Sequence, residues 1–410
     1  MGNFTIRLPP WDDQFASTML FLEENEDPAQ PPSLLTLSPR QPPPTNSQAS
    51  EIHVIISTGS GHKQALSFWD DTVSPILLTL SPDRGQSTHK HITQSESTIL
   101  ELTRNVFFPA ANAGTTQRII LLSGDGGIVD LVNGLLAQPA SPQYIAPQVV
   151  LLPLGTANAL YHSINFNSTQ PTQSNEWGLA ALSSKTTKPL PTFTATFSPG
   201  ARLLVDEARK EEALPTNSNG EGILHGAVVC SWGMHASLVA DSDTSEYRKF
   251  GIERFKMAAK EALYPGDGSL PHPYRGKVSV LKGDEWRALP EEQHLYTLAT
   301  LVSHLEAPFC ISPKSRPLDG SLHLVHFGPT TGDEAMRMMG LAYQGGKHVD
   351  DEKVRYEEVE GVRIEFAEKE GRWRRVCVDG KIVRVEEGGW VEVSKGAERR
   401  VEVVVAGGGV

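Results

Sequence analysis

Asp125 stands between glycines in Ser123-Gly124-Asp125-Gly126-Gly127, directly after an apolar run, and it is the carboxylate in this 410-residue sequence best placed to do chemistry. Two more glycine-bearing turns, Ser57-Thr58-Gly59-Ser60-Gly61 and Leu154-Gly155-Thr156-Ala157-Asn158, also follow short apolar runs. Lacking a Cβ, glycine lets the backbone approach a phosphate and aim N–H groups at it, and a helix starting there adds the positive end of its dipole. One such turn is commonly an ordinary strand-to-helix connection, whereas three on one sheet edge make a cradle for nucleotide phosphates. None of the three reads GxxxxGK(S/T) or GxGxxG, so neither a P-loop ATPase nor a Rossmann dehydrogenase is supported. A carboxylate at the mouth of an anion site is electrostatically awkward unless it acts. It could accept the proton of an attacking hydroxyl, or hold Mg2+ against the phosphates, the two tasks that phosphoryl transfer sets such groups. The alternative is an Asp closing an Asx-turn, common in Gly-Asp-Gly sequences.

The elements that must hold these loops follow from hydrophobic period. Short apolar runs alternate with helical patterns: 52–56 then 65–78, 117–122 then 128–136, 148–152 then 158–164. That alternation predicts βα units and a mostly parallel sheet, which binds ligands at the carboxyl ends of its strands. Beyond Gly222 the pattern changes to strand-like runs at 227–230, 296–302, 322–327, 362–366, 374–378, 382–385 and 401–405, with one helix over 247–263. Turn signals such as Asp319-Gly320 and Asp379-Gly380 between them predict a β-sandwich-like second domain. Residues 28–50, rich in Pro, Gln, Ser and Thr, read as a linker, and Met19-Leu20-Phe21-Leu22 before them as an unassigned strand. Residues 167–175 and 207–221 read as surface insertions. The expected organisation is a variable N-terminal segment and Pro-rich linker over 1–50 and a nucleotide-binding α/β domain over 51–190. A β-rich domain follows over 191–410, its C-terminal end packing back on the first lobe.

A net charge of −12 repels polyphosphate backbones, which excludes nucleic acid as a natural partner. Cys230, Cys310 and Cys377 are odd in number and far apart, which fits a reducing compartment better than a disulfide framework. No run approaches the ~20 apolar residues of a spanning helix. The expectation is a soluble, cytoplasmic protein of open oligomeric state. His89 and His91 share a strand face, but no third ligand is identifiable, which argues against a metal there. His323 and His326 fall on opposite faces of a strand, Trp373 and Trp390 read as core or cleft wall, and the acidic run 350–360 as a solvated surface.

Ser123-Gly124-Asp125-Gly126 running into Asp130-Leu131-Val132-Asn133-Gly134-Leu135 resembles the signature of the diacylglycerol kinase catalytic-domain superfamily, and its serine-led form resembles sphingosine kinases. Leu152-Pro153-Leu154-Gly155-Thr156-Ala157-Asn158-Ala159-Leu160 is similar to the family's Pro-x-Gly-Thr/Ser-Gly-Asn-Ala/Asp-Leu loop. Trp232-Gly233, Ala240-Asp241-Ser242-Asp243, Ser245-Glu246-Tyr247-Arg248 and Gly251 through Arg254-Phe255 resemble a sphingosine-kinase stretch, and Asp319-Gly320 and Asp379-Gly380 fall in family positions. The likeness runs from Ile52 to Val385 in order, which makes it specific.

The resemblance implies an N-terminal phosphofructokinase-like or NAD-kinase-like α/β lobe and a C-terminal β-sandwich-like lobe, with ATP and Mg2+ in the cleft between them. It implies Asp125 as general base for a lipid hydroxyl. Nucleotide contacts would come from Gly59, Ser60, Gly61, Thr93, Ser123, Gly124, Gly126, Gly155, Thr156, Asn158, Arg248, Arg254 and Gly380. Asp243, with Asp241 as the alternative, would meet the lipid head group, a carboxylate suiting the ammonium of a sphingoid base. No metal ligand set is assigned to the protein alone. The substrate would be reached at a membrane surface by peripheral association.

Four departures stand out: Ser57-Thr58 where the family has Asn-Pro, Ala157 where it has a second Gly, Lys381 where an acid follows Asp-Gly, and Met234-His235-Ala236-Ser237 lengthening the stretch after Trp232. Ala157 is tolerable only if its φ is negative. The readings carried forward are a sphingoid-base kinase first, a diacylglycerol-type kinase, a catalytically weakened lipid or nucleotide sensor, and a nicotinamide-nucleotide kinase.

Overall fold

The computed structural model describes residues 2–8, 17–27, 29–38, 51–80, 88–165 and 177–406. They fall into two units, Met1–Leu190 with Arg399–Val410, and Pro191–Glu398.

The first unit begins with an antiparallel sheet of β1 (Asn3–Leu8), β2 (Thr18–Glu23) and β3 (Ser33–Leu37). Ile6, Leu8, Leu20 and Leu22 alternate inward on it and join the core. β3 lies inside the stretch read as a linker: Leu34 and Leu37 pack against that core, and two apolar contacts were enough to recruit a Pro-flanked segment as a strand. Residues 39–50 of that stretch lie outside the described residues, as does the insertion at 167–175.

The site-bearing sheet is built from β4 (Glu51–Ile56), β5 (Thr88–Ile92), β6 (Gln117–Ser123), β7 (Gln148–Pro153) and β8 (Thr187–Pro189). Its order is β5-β4-β6-β7, then Glu402–Val404, then β8. All neighbours are parallel except Glu402–Val404 with β8. Every residue of β6 is buried, and Ile119, Ile120, Leu121 and Leu122 at its centre make the continuous apolar run that a parallel strand covered on both faces needs. Residues 401–405, counted among the strands of a β-rich domain whose C-terminal end was expected to pack back on the first lobe, supply Glu402–Val404 as a strand of the first unit's own sheet. A short valine run carries no mark of which sheet it will join.

Crossovers are helical. α1 (Ala65–Phe68) and α2 (Ser74–Leu80) are joined by a π-helical turn at Trp69–Val73, and α3 (Thr98–Leu102) and α4 (Phe108–Asn112) by another at Thr103–Phe107. α5 (Asp125–Leu135) follows β6, and α6 (Ala159–Asn165) follows β7.

The second unit carries two large antiparallel sheets. One runs Lys210–Ala213, Arg202–Val205, Lys381–Arg384, Arg375–Val378, Val229–Gly233, Tyr296–Thr300, Leu322–Phe327, Arg355–Val359. The other runs Gly222–Gly226, Phe193–Phe197, Trp390–Lys395, Gly361–Phe366, Tyr274–Lys282, Glu285–Ala288. Trp232 of the first is fully buried, with its ring edge-on to Phe366 and tilted near His294. The segment read as an insertion at 207–221 is instead the turn and outer strand of the Arg202–Val205/Lys210–Ala213 hairpin, followed by a short loop. Its charge reflects an edge strand exposed along its whole length.

The single helix expected over 247–263 is replaced by four. α7 (Met234–Ser242), α8 (Ser245–Arg248) and α9 (Glu253–Leu263) follow Trp232, with Gly251 at φ +54° between the last two, and α10 (Gly332–Ala342) lies further on. α7 buries Met234, Ala236 and Ser237 without a clear apolar stripe, so its sequence carries little signal. α10 carried one that was overlooked: Thr331 accepts the Glu334 N–H at 3.3 Å, with Asp333 and Glu334 in the first turn, the Thr-x-x-Glu start of a helix.

Buried histidines give this unit a pH dependence. His294 Nε2 donates to the Gly276 carbonyl (3.0 Å), so its Nδ1 must accept from His326 Nε2 at 2.8 Å, and both rings are locked neutral. Burial depresses His326 to about 3, and His304 and His235 to about 4. Each folded value lies below the unfolded value near 6.5. The stability they contribute is therefore complete above pH ~6.5 and is lost as pH falls toward 4 and then 3. The urea midpoint should fall between pH 6.5 and 4; a midpoint flat across that window would contradict this.

Candidate active site

Three loops meet at the carboxyl ends of β4, β6 and β7. A Cβ on Gly124 would stand 2.7 Å from the Gly155 Cα, and one on Gly155 2.4 Å from the Gly124 Cα, so the backbones after β6 and β7 touch where neither position tolerates a side chain. Gly61, at φ +47°, closes the first loop onto the third: a Cβ there would lie 2.5 Å from the Leu154 carbonyl oxygen. Hydroxyls stitch the loops together. Ser60 Oγ lies 2.8 Å from Ser57 Oγ and 3.3 Å from Ser123 Oγ. Thr93, at the end of β5, accepts the Thr58 N–H on Oγ1 and the Thr58 hydroxyl on its carbonyl, both at 3.1 Å. Gly59 and Gly126 differ from the packed glycines. Both are exposed, and nothing lies within 4 Å of a Cβ built there. The fold does not need glycine at either place, whereas a close-lying phosphate would.

Asp125 is the first residue of α5, and its carboxylate reaches across to α6, where Oδ2 accepts the Ala159 N–H (2.8 Å) and Oδ1 the Leu160 N–H (3.0 Å). It thus caps the neighbouring helix rather than closing its own Asx-turn. Burial pushes its pKa above the usual carboxylate value, outweighing the Leu160 and Ala159 N–H groups that pull it down. Each oxygen keeps a lone pair, so the group can still take a proton. The left-handed residue of the third loop is Asn158 (φ +53°), not Ala157. Asn158 is buried, its Oδ1 accepting the Gly155 N–H (2.8 Å) and its Nδ2 donating to the Gly155 carbonyl (3.1 Å). Its side chain holds the loop, while Thr156 is half-buried at the loop's tip. Ala157→Gly should therefore leave the nucleotide KM unchanged and lower stability by about 0.5–1 kcal/mol through unfolded-chain entropy. A several-fold drop in KM would mean that the Cβ does obstruct the ligand.

In the second unit Asp243, Arg248 and Arg254 form one cluster. Arg248 grips Asp243 with Nε (2.9 Å) and Nη2 (3.0 Å), and Arg254 Nη1 lies 3.4 Å from the same carboxylate. Asp241 is held by Arg375 (2.7 Å) and faces Arg372 at 3.6 Å. Both candidate head-group carboxylates are thus paired with arginine, a tertiary arrangement their spacing did not reveal. Asp241 also lines a cavity of about 130 Å³ between α7 and α9, with Glu261, Ser237, Tyr274 and Trp373. There Tyr274 donates to Ser237 Oγ (2.7 Å), and His272 stacks on Trp373 at 3.9 Å between ring centroids.

Gly380 (φ +91°) and Asp379 (φ +47°) form the two-residue turn joining Arg375–Val378 to Lys381–Arg384. Sequence reasoning passed over Asp379 itself. It is buried and accepts three successive backbone N–H groups, from Ala227 (2.6 Å), Val228 (3.1 Å) and Val229 (2.5 Å). Its signal was the Asp before a turn glycine, which was read as a turn and a family position with Gly380, not Asp379, singled out.

A third imidazole does join His89 and His91. His53 on β4 lies 3.1 Å from His91 between ring nitrogens and stacks on His89 at 5.0 Å. Even so, no group of three His, Cys, Asp or Glu among the described residues is placed to hold a metal ion. His326 pairs with His294 in the core, while His323 stacks on Tyr356.

Residues 51–192 match the diacylglycerol kinase catalytic domain. Sphingosine kinase 1 of Mus musculus is 24% identical over 327 residues, covering 72% of this chain and 77% of that protein. Sphingosine kinase 1 of Homo sapiens is 23% identical over 362 residues, covering 80% and 85%. A solved diacylglycerol kinase from Bacillus anthracis str. Sterne shares the fold at TM-score 0.51 and 12% identity, over 87% of this chain and 97% of that one. Another structure from that organism gives 0.56 at 14% identity, over 87% and 98%. The chain is an enzyme of the lipid-kinase class, with a diacylglycerol kinase catalytic domain over residues 51–192. Among the described residues no helix is long and apolar enough to cross a membrane.

Proposed function

We propose that the protein transfers the γ-phosphoryl group of ATP to the hydroxyl of a sphingoid base. The observation that carries this reading is the carboxylate of Asp125, its pKa raised by burial, beside two glycines that the fold leaves open. The lipid oxygen attacks the γ-phosphorus, its proton passes to Asp125, and ADP departs. Backbone N–H groups around Gly59, Gly124 and Gly126 would hold the phosphates, with Ser60 and Ser123 beside them and Thr93 fixing the first loop. Mg2+ would be held chiefly by the phosphates, whose developing charge it neutralises. Arg248 and Arg254 suit phosphate oxygens through their planar forks.

The sphingoid class is supported by the likeness to sphingosine kinase 1 and by carboxylates with an aromatic wall, which suit an ammonium. A diacylglycerol would bring no cation to Asp241 or Asp243. A weakened kinase or sensor draws on Ser57-Thr58 and Lys381, while Ala157, which is not left-handed, lends it no support. A nicotinamide-nucleotide kinase gives no role to the Arg248 stretch.

The test is incubation with γ-labelled ATP and, in turn, sphinganine micelles, dioleoylglycerol micelles and NAD. Label in sphinganine is expected. Label only in dioleoylglycerol moves the substrate class, label only in NAD removes the lipid reading, and label in none while ADP still binds makes the protein a sensor.

A further inference from the structure

We infer that Asp243, Arg248 and Arg254 couple two ligands: the guanidiniums hold the carboxylate until a phosphate anion competes for them, and the anion then frees Asp243 to receive an amine. This rests on the kinase reading above and adds to it a mutual dependence of nucleotide and lipid binding.

Two guanidiniums share the Asp243 carboxylate, and the Glu207 carboxylate also feels Arg248. Arg248 spends Nε and Nη2 on Asp243. Arg254 reaches the same oxygen only at 3.4 Å, its side chain is 15% exposed, and its buried Nε has no hydrogen-bond partner. A buried guanidinium N–H without an acceptor is costly, so an anion that supplies one is favoured. Phosphate is the complementary chemistry, because its oxygens match the arginine fork.

The ion pair is easily displaced. The Asp243 and Arg248 side chains are 41% and 47% exposed, and a half-exposed pair is weak. Once phosphate takes the guanidiniums, Asp243 is left as an unpaired carboxylate close to an anion, and an ammonium relieves that repulsion. The converse holds as well: an amine on Asp243 loosens that carboxylate's hold on Arg248 Nε and Nη2, which can then turn toward phosphate. Linkage makes the two effects equal, and displacement of one such pair corresponds to a coupling of about fivefold. The same contact in a purely structural role would only tie α8 and α9 to the end of α7, with no dependence on either ligand.

The experiment measures binding of a fluorescent sphinganine in detergent micelles to the full chain, with and without saturating ADP, for wild type and Arg248→Met. In wild type, ADP should tighten amine binding about fivefold. In Arg248→Met the amine should bind without ADP nearly as tightly as wild type binds it with ADP, and the coupling should shrink toward unity. Arg248 is half exposed, so the variant should fold, and the wild-type comparison needs no variant. Amine affinity unchanged by bound ADP in wild type overturns the coupling and leaves the kinase reading intact. A full fivefold effect persisting in Arg248→Met likewise overturns it, by placing the coupling elsewhere. No amine bound in any state while ADP binds normally overturns the coupling together with the sphingoid substrate.

Discussion

Asp125→Asn should lower kcat on the order of a thousandfold, because a carboxamide cannot take the proton of the attacking hydroxyl. The same substitution should also cost stability. Ala159 and Leu160 each donate a backbone N–H to a different oxygen of Asp125, so the Asn amide must turn its NH2 toward one of them. Losing one of the two bonds costs about 1–3 kcal/mol. The two effects separate by measurement: chemical denaturation reports the cap, and kcat per folded molecule reports the base. A variant that melts earlier but turns over normally would leave Asp125 a helix cap and nothing more.

Asp379→Asn should be the most destabilising single change in the second unit. Three N–H groups from the segment leading into Val229–Gly233 converge on one buried carboxylate. An amide keeps one oxygen and sets a donor against the others, with an expected loss of about 3–5 kcal/mol by analogy with breaking a buried charged group's bonds. Urea unfolding of wild type and variant measures it, and a loss below about 1 kcal/mol would show that backbone relaxation or water meets those N–H groups instead. Gly380, in the same turn, has no neighbour within 4 Å of a Cβ, so Gly380→Ala acts through its left-handed φ alone and should cost less.

What could be read from the sequence was what is local. β4, β6 and β7 are apolar-rich runs that lead into glycine-bearing loops, and the three loops announced themselves by composition. Partnerships across the fold were not legible. His53, which completes the imidazole stack, is 38 residues from the His91 it meets, and the registry of parallel β4 and β5 decides that contact. Asp379 finds its N–H donors about 150 residues away. Asp243 and its two arginines were all singled out, but as separate contacts to separate ligands, because sequence spacing shows neither the break at Gly251 nor the turn that brings them together. The part Asn158 plays in holding its loop was hidden for the same reason, because it depends on a left-handed φ that residue types alone do not fix.

Phosphoryl transfer through Asp125 is decided by the turnover number for transfer from ATP-Mg to sphinganine, with Asp125→Ala assayed beside wild type at matched folded concentration. Wild type should turn over at about 1–100 s−1, the range usual for kinases, and the variant should fall to background. A wild-type protein that is folded and binds ADP, yet forms no more product than Asp125→Ala, would contradict it.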